Sequence, residues 1–226
     1  MECMIVYAVD AGGEYVTLDE IFRRHPSDAR GIYVNLTNRC TCACTFCLRT
    51  MKKMAEEHTL WLRQEPLTGE VRKELDEAFS KHGDKINEVV FCGFGEPTMR
   101  LEDLVYLLKY AKENFHGIKT RLNTNGLSDL NYNRDTAPDF GGGILDTISI
   151  SLNASNAERY LALTRSEFGA RSYDAMLEFA THCKKYVADV VLTVVDHVED
   201  EEEIEKCRKI CSERGLRLRV RAYEDK

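Results

Sequence analysis

Asn38-Arg39-Cys40-Thr41-Cys42-Ala43-Cys44-Thr45-Phe46-Cys47 sets the chemistry of this chain and, with it, the fold. Cys40, Cys44 and Cys47 stand in a C-x3-C-x2-C spacing. Three thiolates so close can hold three irons of a 4Fe–4S cube, because such clusters are ligated by cysteine. With no fourth local ligand, one iron is left open to a substrate or cofactor, which a purely electron-carrying cluster does not need. The alternatives are a zinc knuckle or buried free thiols. Zinc takes four ligands, often as paired C-x2-C motifs, and no second pair appears.

Ile32-Tyr33-Val34-Asn35-Leu36, just before the cysteines, has the apolar content of a strand. The cysteine loop therefore leaves the C-terminal end of a strand, where α/β folds place their sites. Downstream, apolar residues at helical spacing (Val71, Leu75, Ala78; Leu101, Leu104, Leu108; Tyr173, Met176, Ala180; Ile204, Cys207, Cys211) alternate with strand-like runs. Those runs are Glu88 to Cys92, Ile118 to Asn123, Asp146 to Leu152, Val190 to Val195 and Leu216 to Ala222. Such alternation predicts an α/β fold with a parallel sheet and right-handed crossovers. Residues 4–9 and 14–18 read as a hairpin about Asp10-Ala11-Gly12-Gly13, with a short helix before Pro26. The expected organisation is thus an extension over 1–30 and a main domain over 31–226.

The 226 residues suit one sizeable core, and 43% hydrophobic with 31% charged residues is ordinary for a globular protein. A net charge of -7 argues against a chain that is basic all over and wraps nucleic acid, though not against a local basic pocket. No run is long enough to span a membrane and no signal-peptide pattern is found. With nine cysteines, a reducing cytoplasm is the expected setting, without disulfides.

The cysteine spacing, with Phe46 just before the last thiol, resembles the radical S-adenosylmethionine (radical SAM) superfamily. The resemblance implies a partial (β/α)6 radical SAM barrel with a short N-terminal β extension. Its cofactors are a 4Fe–4S cluster and S-adenosylmethionine (SAM), chelated at the open iron through amine and carboxylate. Gly93-Phe94-Gly95-Glu96 then resembles the superfamily's GGE-type motif for the SAM amino group, with Phe94 in a glycine position. Asn123 and Asn125 end the third main strand, and Ser149, Ser151 and Asn153 share the polar face of the fourth. The last two resemble ribose and methionine contacts. Arg165 resembles an arginine that pairs with the SAM carboxylate, while Val195 and Phe46 are candidate adenine neighbours.

Arg217, Arg219 and Arg221 alternate with apolar residues on the last strand. With Arg121, Arg219 and Arg221 are expected to form an anion pocket for substrate, and Arg217 to lie at the surface. Residues 49–66, with Arg49, Lys52, Lys53 and Trp61, read equally as a lid packed by that Trp and as a substrate- or partner-contacting flap. Cys183, Cys207 and Cys211 read as core thiols. His197 reads as a loop residue.

Closer stretches, among them Leu60-Trp61-Leu62, Arg121 to Gly126 and Arg219-Val220-Arg221, resemble the TatD nuclease-associated radical SAM proteins from about residue 31 onward. The implied function is reductive cleavage of SAM to a 5′-deoxyadenosyl radical, which abstracts hydrogen from a small-molecule, nucleotide or protein substrate. The electron donor would be a flavodoxin or ferredoxin. Competing readings are an activase that makes a glycyl radical in a partner protein and a metal-bearing interaction module without turnover.

Overall fold

A computed structural model describes residues 2–51 and 58–223, and Lys52 and Lys53 of the expected flap lie outside them. In chain order the strands are β1 (Glu2–Cys3), β2 (Val6–Val9), β3 (Tyr15–Val16), β4 (Arg30–Val34), β5 (His58–Thr59), β6 (Ile86–Phe91), β7 (Lys119–Thr124), β8 (Thr147–Ser151), β9 (Asp189–Val195) and β10 (Arg217–Arg221). The helices are α1 (Leu18–Arg24), α2 (Leu48–Met51), α3 (Thr68–His82), α4 (Leu101–Asn114), α5 (Ser128–Tyr132), α6 (Ala157–Thr164), α7 (Arg171–Cys183) and α8 (Glu201–Glu213). The fold is α/β with an open, mostly parallel sheet. The six strands β4 and β6 to β10 are those of the expected partial barrel.

The chain divides into two compact units, residues 1–39 with 52–122, and residues 40–51 with 123–225. In the first, β4, β6 and β7 run parallel, Ile32 beside Val89 and Val90 beside Arg121. Helix α3 buries Val71, Leu75 and Ala78, and α4 buries Leu101, Leu104, Leu107, Leu108 and Ala111. Both stripes follow the helical period read from the sequence. Glu70 accepts from the Leu67 backbone N–H at 2.7 Å and so serves an N-terminal orphan donor of α3.

The expected hairpin forms from β2 and β3, and its turn is a 3-10 segment at Ala11–Gly13 in which Gly12 takes φ +72. Strand β2 also pairs antiparallel with β4, Val6 beside Val34. The extension is therefore continuous with the sheet, and it buries Met4, Tyr7 and Tyr15 with Leu60 and Phe94.

In the second unit β8, β9 and β10 are parallel, Ile150 beside Leu192 and Arg219 beside Thr193. Ile148, Ile150 and Leu152 are fully buried, as the alternation predicts. Helix α7 buries Tyr173, Met176, Leu177, Ala180 and Cys183, and α8 buries Ile204, Cys207 and Cys211. Burial pushes the Cys207 thiol up to about 12 and Cys211 up to about 11, as befits core thiols. Three short helices, α2, α5 and α6, were not expected from the sequence.

The last strand departs from its simplest reading. Val220 is 39% exposed and Leu218 only half-buried. Strand β10 is the edge of the sheet, paired with β9 alone among the described strands. Alternation on an edge strand does not guarantee a covered apolar face.

The hairpin turn is held by Asp10. Its carboxyl drops to about 2, first because the Ala11 N–H donates to it at 2.8 Å and then because Arg24 does at 2.9 Å. A depressed carboxylate contributes stability above its unfolded value of 3.8, and that stability is lost as pH falls through about 2. Asp10→Asn should therefore melt lower than wild type above pH 3.8, with the gap closing on acidification. Melting temperatures measured across that range check it; a gap independent of pH counts against the assignment.

Candidate iron–sulfur and cofactor site

The cysteine loop belongs to the second unit, and it is held there by backbone. Helix α6 stops at Thr164 because Arg165 turns left-handed, with φ +47. The last carbonyls of a helix have no partner inside it, and two of these accept from the loop. Ala43 N–H donates to Thr164 O and Thr45 N–H to Leu163 O, both at 2.9 Å. Glu167 N–H returns a bond to Thr41 O at 3.0 Å. The loop then turns into α2 through Cys47 N–H to Cys44 O at 3.2 Å.

Cys40, Cys44 and Cys47 are half-buried thiols, whereas Cys42 is buried. The Cys42 thiol is pushed up by hydrogen bonds to Cys40 and then Cys44, and by burial. Cys44 is lowered, first because the Cys42 thiol bonds to it. Burial raises Cys47, against the pull of the Arg49 N–H and charge. Arg49 itself donates to Cys42 O at 3.3 Å. Asn125 Nδ2 lies 3.9 Å from Cys40 Sγ, 3.8 Å from Cys42 Sγ and 3.4 Å from Thr41 Oγ1, and its Oδ1 accepts from Leu127 N–H at 2.9 Å. Asn125 was expected as a cofactor contact; it stands against the sulfurs. Amide donors to cluster sulfurs tune the reduction potential.

The residues fit the group. Three accessible thiols in one anchored loop match a cluster with an open iron. Asn123 Oδ1 is buried without a hydrogen bond among the described residues, an acceptor that a ligand donor would satisfy.

In the first unit, Gly93 to Glu96 leave β6 in close register with the end of β4. A Cβ on Gly95 would collide with Thr37 O and come within 2.7 Å of Arg39 O. Glu96 N–H donates to Arg39 O at 2.8 Å. The Glu96 side chain is buried, and its Oε1 accepts from Thr98 N–H at 3.1 Å and Thr98 Oγ1 at 2.9 Å, capping the 3-10 turn at Pro97–Arg100. Phe94 occupies a glycine position of the motif because its ring is buried in the extension, edge-on to Tyr15 at 6.3 Å. Arg121 lies against Glu88 at 2.7 Å, an internal carboxylate partner.

The remaining candidates lie in the second unit. Ser149 is buried and its Oγ accepts from Arg219 Nη2 at 3.0 Å. Ser151 is half-buried, and Asn153 is buried with φ +60. Val195 pairs in register with Arg221, and both are half-buried, as are Arg219 and Phe46. Arg165 is exposed. Arg217 is exposed and forks onto Asp189 at 2.8 Å, the surface role expected of it.

The model of the radical SAM superfamily matches residues 34–211. The chain belongs to the radical SAM superfamily. Its cofactors are accordingly a 4Fe–4S cluster and SAM. A GTP 3',8-cyclase of Corynebacterium glutamicum (strain R) is 32% identical over 221 residues, 94% of this chain and 53% of that protein. A GTP 3',8-cyclase of Rhodococcus opacus (strain B4) is 28% identical over 152 residues, 66% of this chain and 39% of that protein. The chain thus spans about half the length of the first of these curated relatives, and less of the second. Among solved structures, SuiB of Streptococcus suis bound to S-adenosylmethionine aligns with TM-score 0.63 at 20% identity, over 91% of this chain and 42% of that one. The anSMEcpe protein with bound AdoMet aligns with TM-score 0.62 at 16% identity, over 85% and 51%. These two likenesses are of fold.

Sequence reasoning missed the α6 clamp and the sulfur contacts of Asn125. Asn156, which caps α6 by accepting from Arg159 N–H at 2.9 Å, was the one local signal for that helix.

Two outcomes follow from this geometry. Ala at Cys40, Cys44 or Cys47 should each remove the cluster's iron and visible absorption, while Cys42→Ala keeps both; an iron-loaded Cys44→Ala protein would sink the assignment. Gly95→Ala should lower stability by about 1–3 kcal/mol, since its Cβ meets backbone that cannot rotate away. An unchanged denaturation midpoint would contradict that cradle.

Proposed function

We propose that this protein is a radical SAM enzyme acting on an anionic nucleotide. The observation that carries the first part is the clamped loop that presents three half-buried thiols together. When bound, the cluster and SAM supply an electron and a 5′-deoxyadenosyl radical able to take a hydrogen atom from substrate. The chain's part is to bind, orient and shield them.

Cys40, Cys44 and Cys47 hold the irons. Asn125 donates toward the sulfurs. Glu96 and the Gly93 to Gly95 backbone take the SAM amino group, Asn123, Ser151 and Asn153 its polar groups, and Phe46 and Val195 its adenine. Arg165, exposed at the end of α6, is the candidate for its carboxylate. Arg219 and Arg221, half-buried, take the substrate anion, since guanidinium forks suit carboxylate and phosphate. Arg121 has a lesser claim because Glu88 already meets it. The nucleotide is favoured by the relatives named GTP 3',8-cyclase.

Within the superfamily we place the chain beside the TatD-associated group, on the stretches quoted above. We also propose a cytoplasmic, oxygen-sensitive protein reduced by a flavodoxin or ferredoxin, with residues 1–30 as an extension to the barrel. Among the described residues no helix is long and apolar enough to cross a membrane.

Anaerobic reconstitution with iron and sulfide, then addition of dithionite and SAM, should yield methionine and 5′-deoxyadenosine. A fully loaded protein that leaves SAM intact refutes the enzyme reading and favours the interaction module.

A further inference from the structure

Trp61 is the single tryptophan of the chain and is 51% exposed. Its neighbours Leu60 and Leu62 are 1% and 3% exposed, so the segment is anchored on both sides. The anchors are polar and specific. Asn35 Nδ2 donates to Leu60 O at 2.6 Å, and Asn38 Nδ2 to Leu62 O at 2.7 Å. Leu62 N–H donates back to Asn38 Oδ1 at 3.1 Å, and Trp61 N–H donates to Thr59 Oγ1 at 3.0 Å. A large apolar ring on so fixed a backbone forgoes the gain of burial.

The bracket also fixes the backbone from which the ring projects. Asn35 and Asn38 follow β4 at its C-terminal end, the end from which Gly93 to Glu96 leave β6. Asn35 is fully buried, and a Cβ on Gly93 would run into its side chain. One asparagine therefore joins the Gly93 turn to the Trp61 segment. The indole lies 6.4 Å from the Phe94 ring, tilted by 54°. Trp61 is thus a preorganised aromatic surface beside the glycine motif, at the strand ends where α/β folds bind ligands.

We infer that Trp61 is a stacking platform for the purine base of the substrate nucleotide. The inference rests on the nucleotide reading above and adds which residue recognises the ring. An aromatic platform accepts any base through its π-face and loses little entropy when already fixed.

The test uses the reconstituted holoprotein under argon, with Trp61 as its own reporter. GTP should quench or shift the indole emission saturably, while inorganic tripolyphosphate, which carries the charge without the ring, should not. By calorimetry, Trp61→Ala should weaken GTP binding about tenfold and Trp61→Phe less, with iron content unchanged in both. The inference is overturned if GTP leaves the emission unchanged or if tripolyphosphate matches it. It is equally overturned if SAM alone gives the full change, which assigns the ring to the cofactor, or if Trp61→Ala binds GTP normally. Failure of SAM cleavage with GTP quenching intact would remove the enzyme reading and leave this one standing.

Discussion

The site depends on two carbonyl groups. Leu163 O and Thr164 O, left over at the end of α6, accept from Thr45 and Ala43. Without them the cysteine loop would be a run of residues with no ladder of its own, carrying thiols whose ionised forms repel one another. Backbone hydrogen bonds to a helix end do not respond to pH or to side-chain identity. They hold the loop in one shape whether or not the sulfurs carry charge. What remains adjustable is the electrostatics. Arg49 favours the charged form of Cys44, and the Asn125 amide stands against the Cys40 and Cys42 sulfurs.

The Gly-Phe-Gly-Glu sequence has a physical explanation in the same terms. Gly95 admits no side chain because Thr37 O and Arg39 O fill the place a Cβ would take. Position 94 is different. Its side chain leaves the turn and enters a cluster with Met4, Tyr7, Tyr15 and Leu60. The N-terminal hairpin provides most of that cluster, so Phe94 and the extension belong together. A glycine at 94 would leave a hole under the hairpin, and burial of an aromatic ring is among the larger single contributions to a core.

Much of this was legible in the sequence, and the limits have physical causes. The cysteine spacing gave the cluster because thiolates are its required ligands. The stripes Val71-Leu75-Ala78 and Ile204-Cys207-Cys211 gave α3 and α8 because burial imposes a helical period. Helix α6 was illegible because it is short and its contribution is made by main-chain oxygens, which every residue carries. Asn125 could be seen as polar at a strand end, but not as the amide facing the sulfurs. The arginines of β10 were placed by alternation, and the exposed Val220 shows why that argument weakens at a sheet edge.

The cysteine loop is also displaced in time. It lies between β4 and α3 in sequence, yet it is grouped with residues 123–225. During synthesis Ala43 and Thr45 emerge roughly 120 residues before Leu163 and Thr164, an interval on the order of ten seconds at ordinary rates of chain elongation. For that interval the thiols are present without the scaffold that arranges them. The arrangement that holds a cluster is then complete only after α6 has been made, and the nascent protein first passes through a stage of unassembled sulfur.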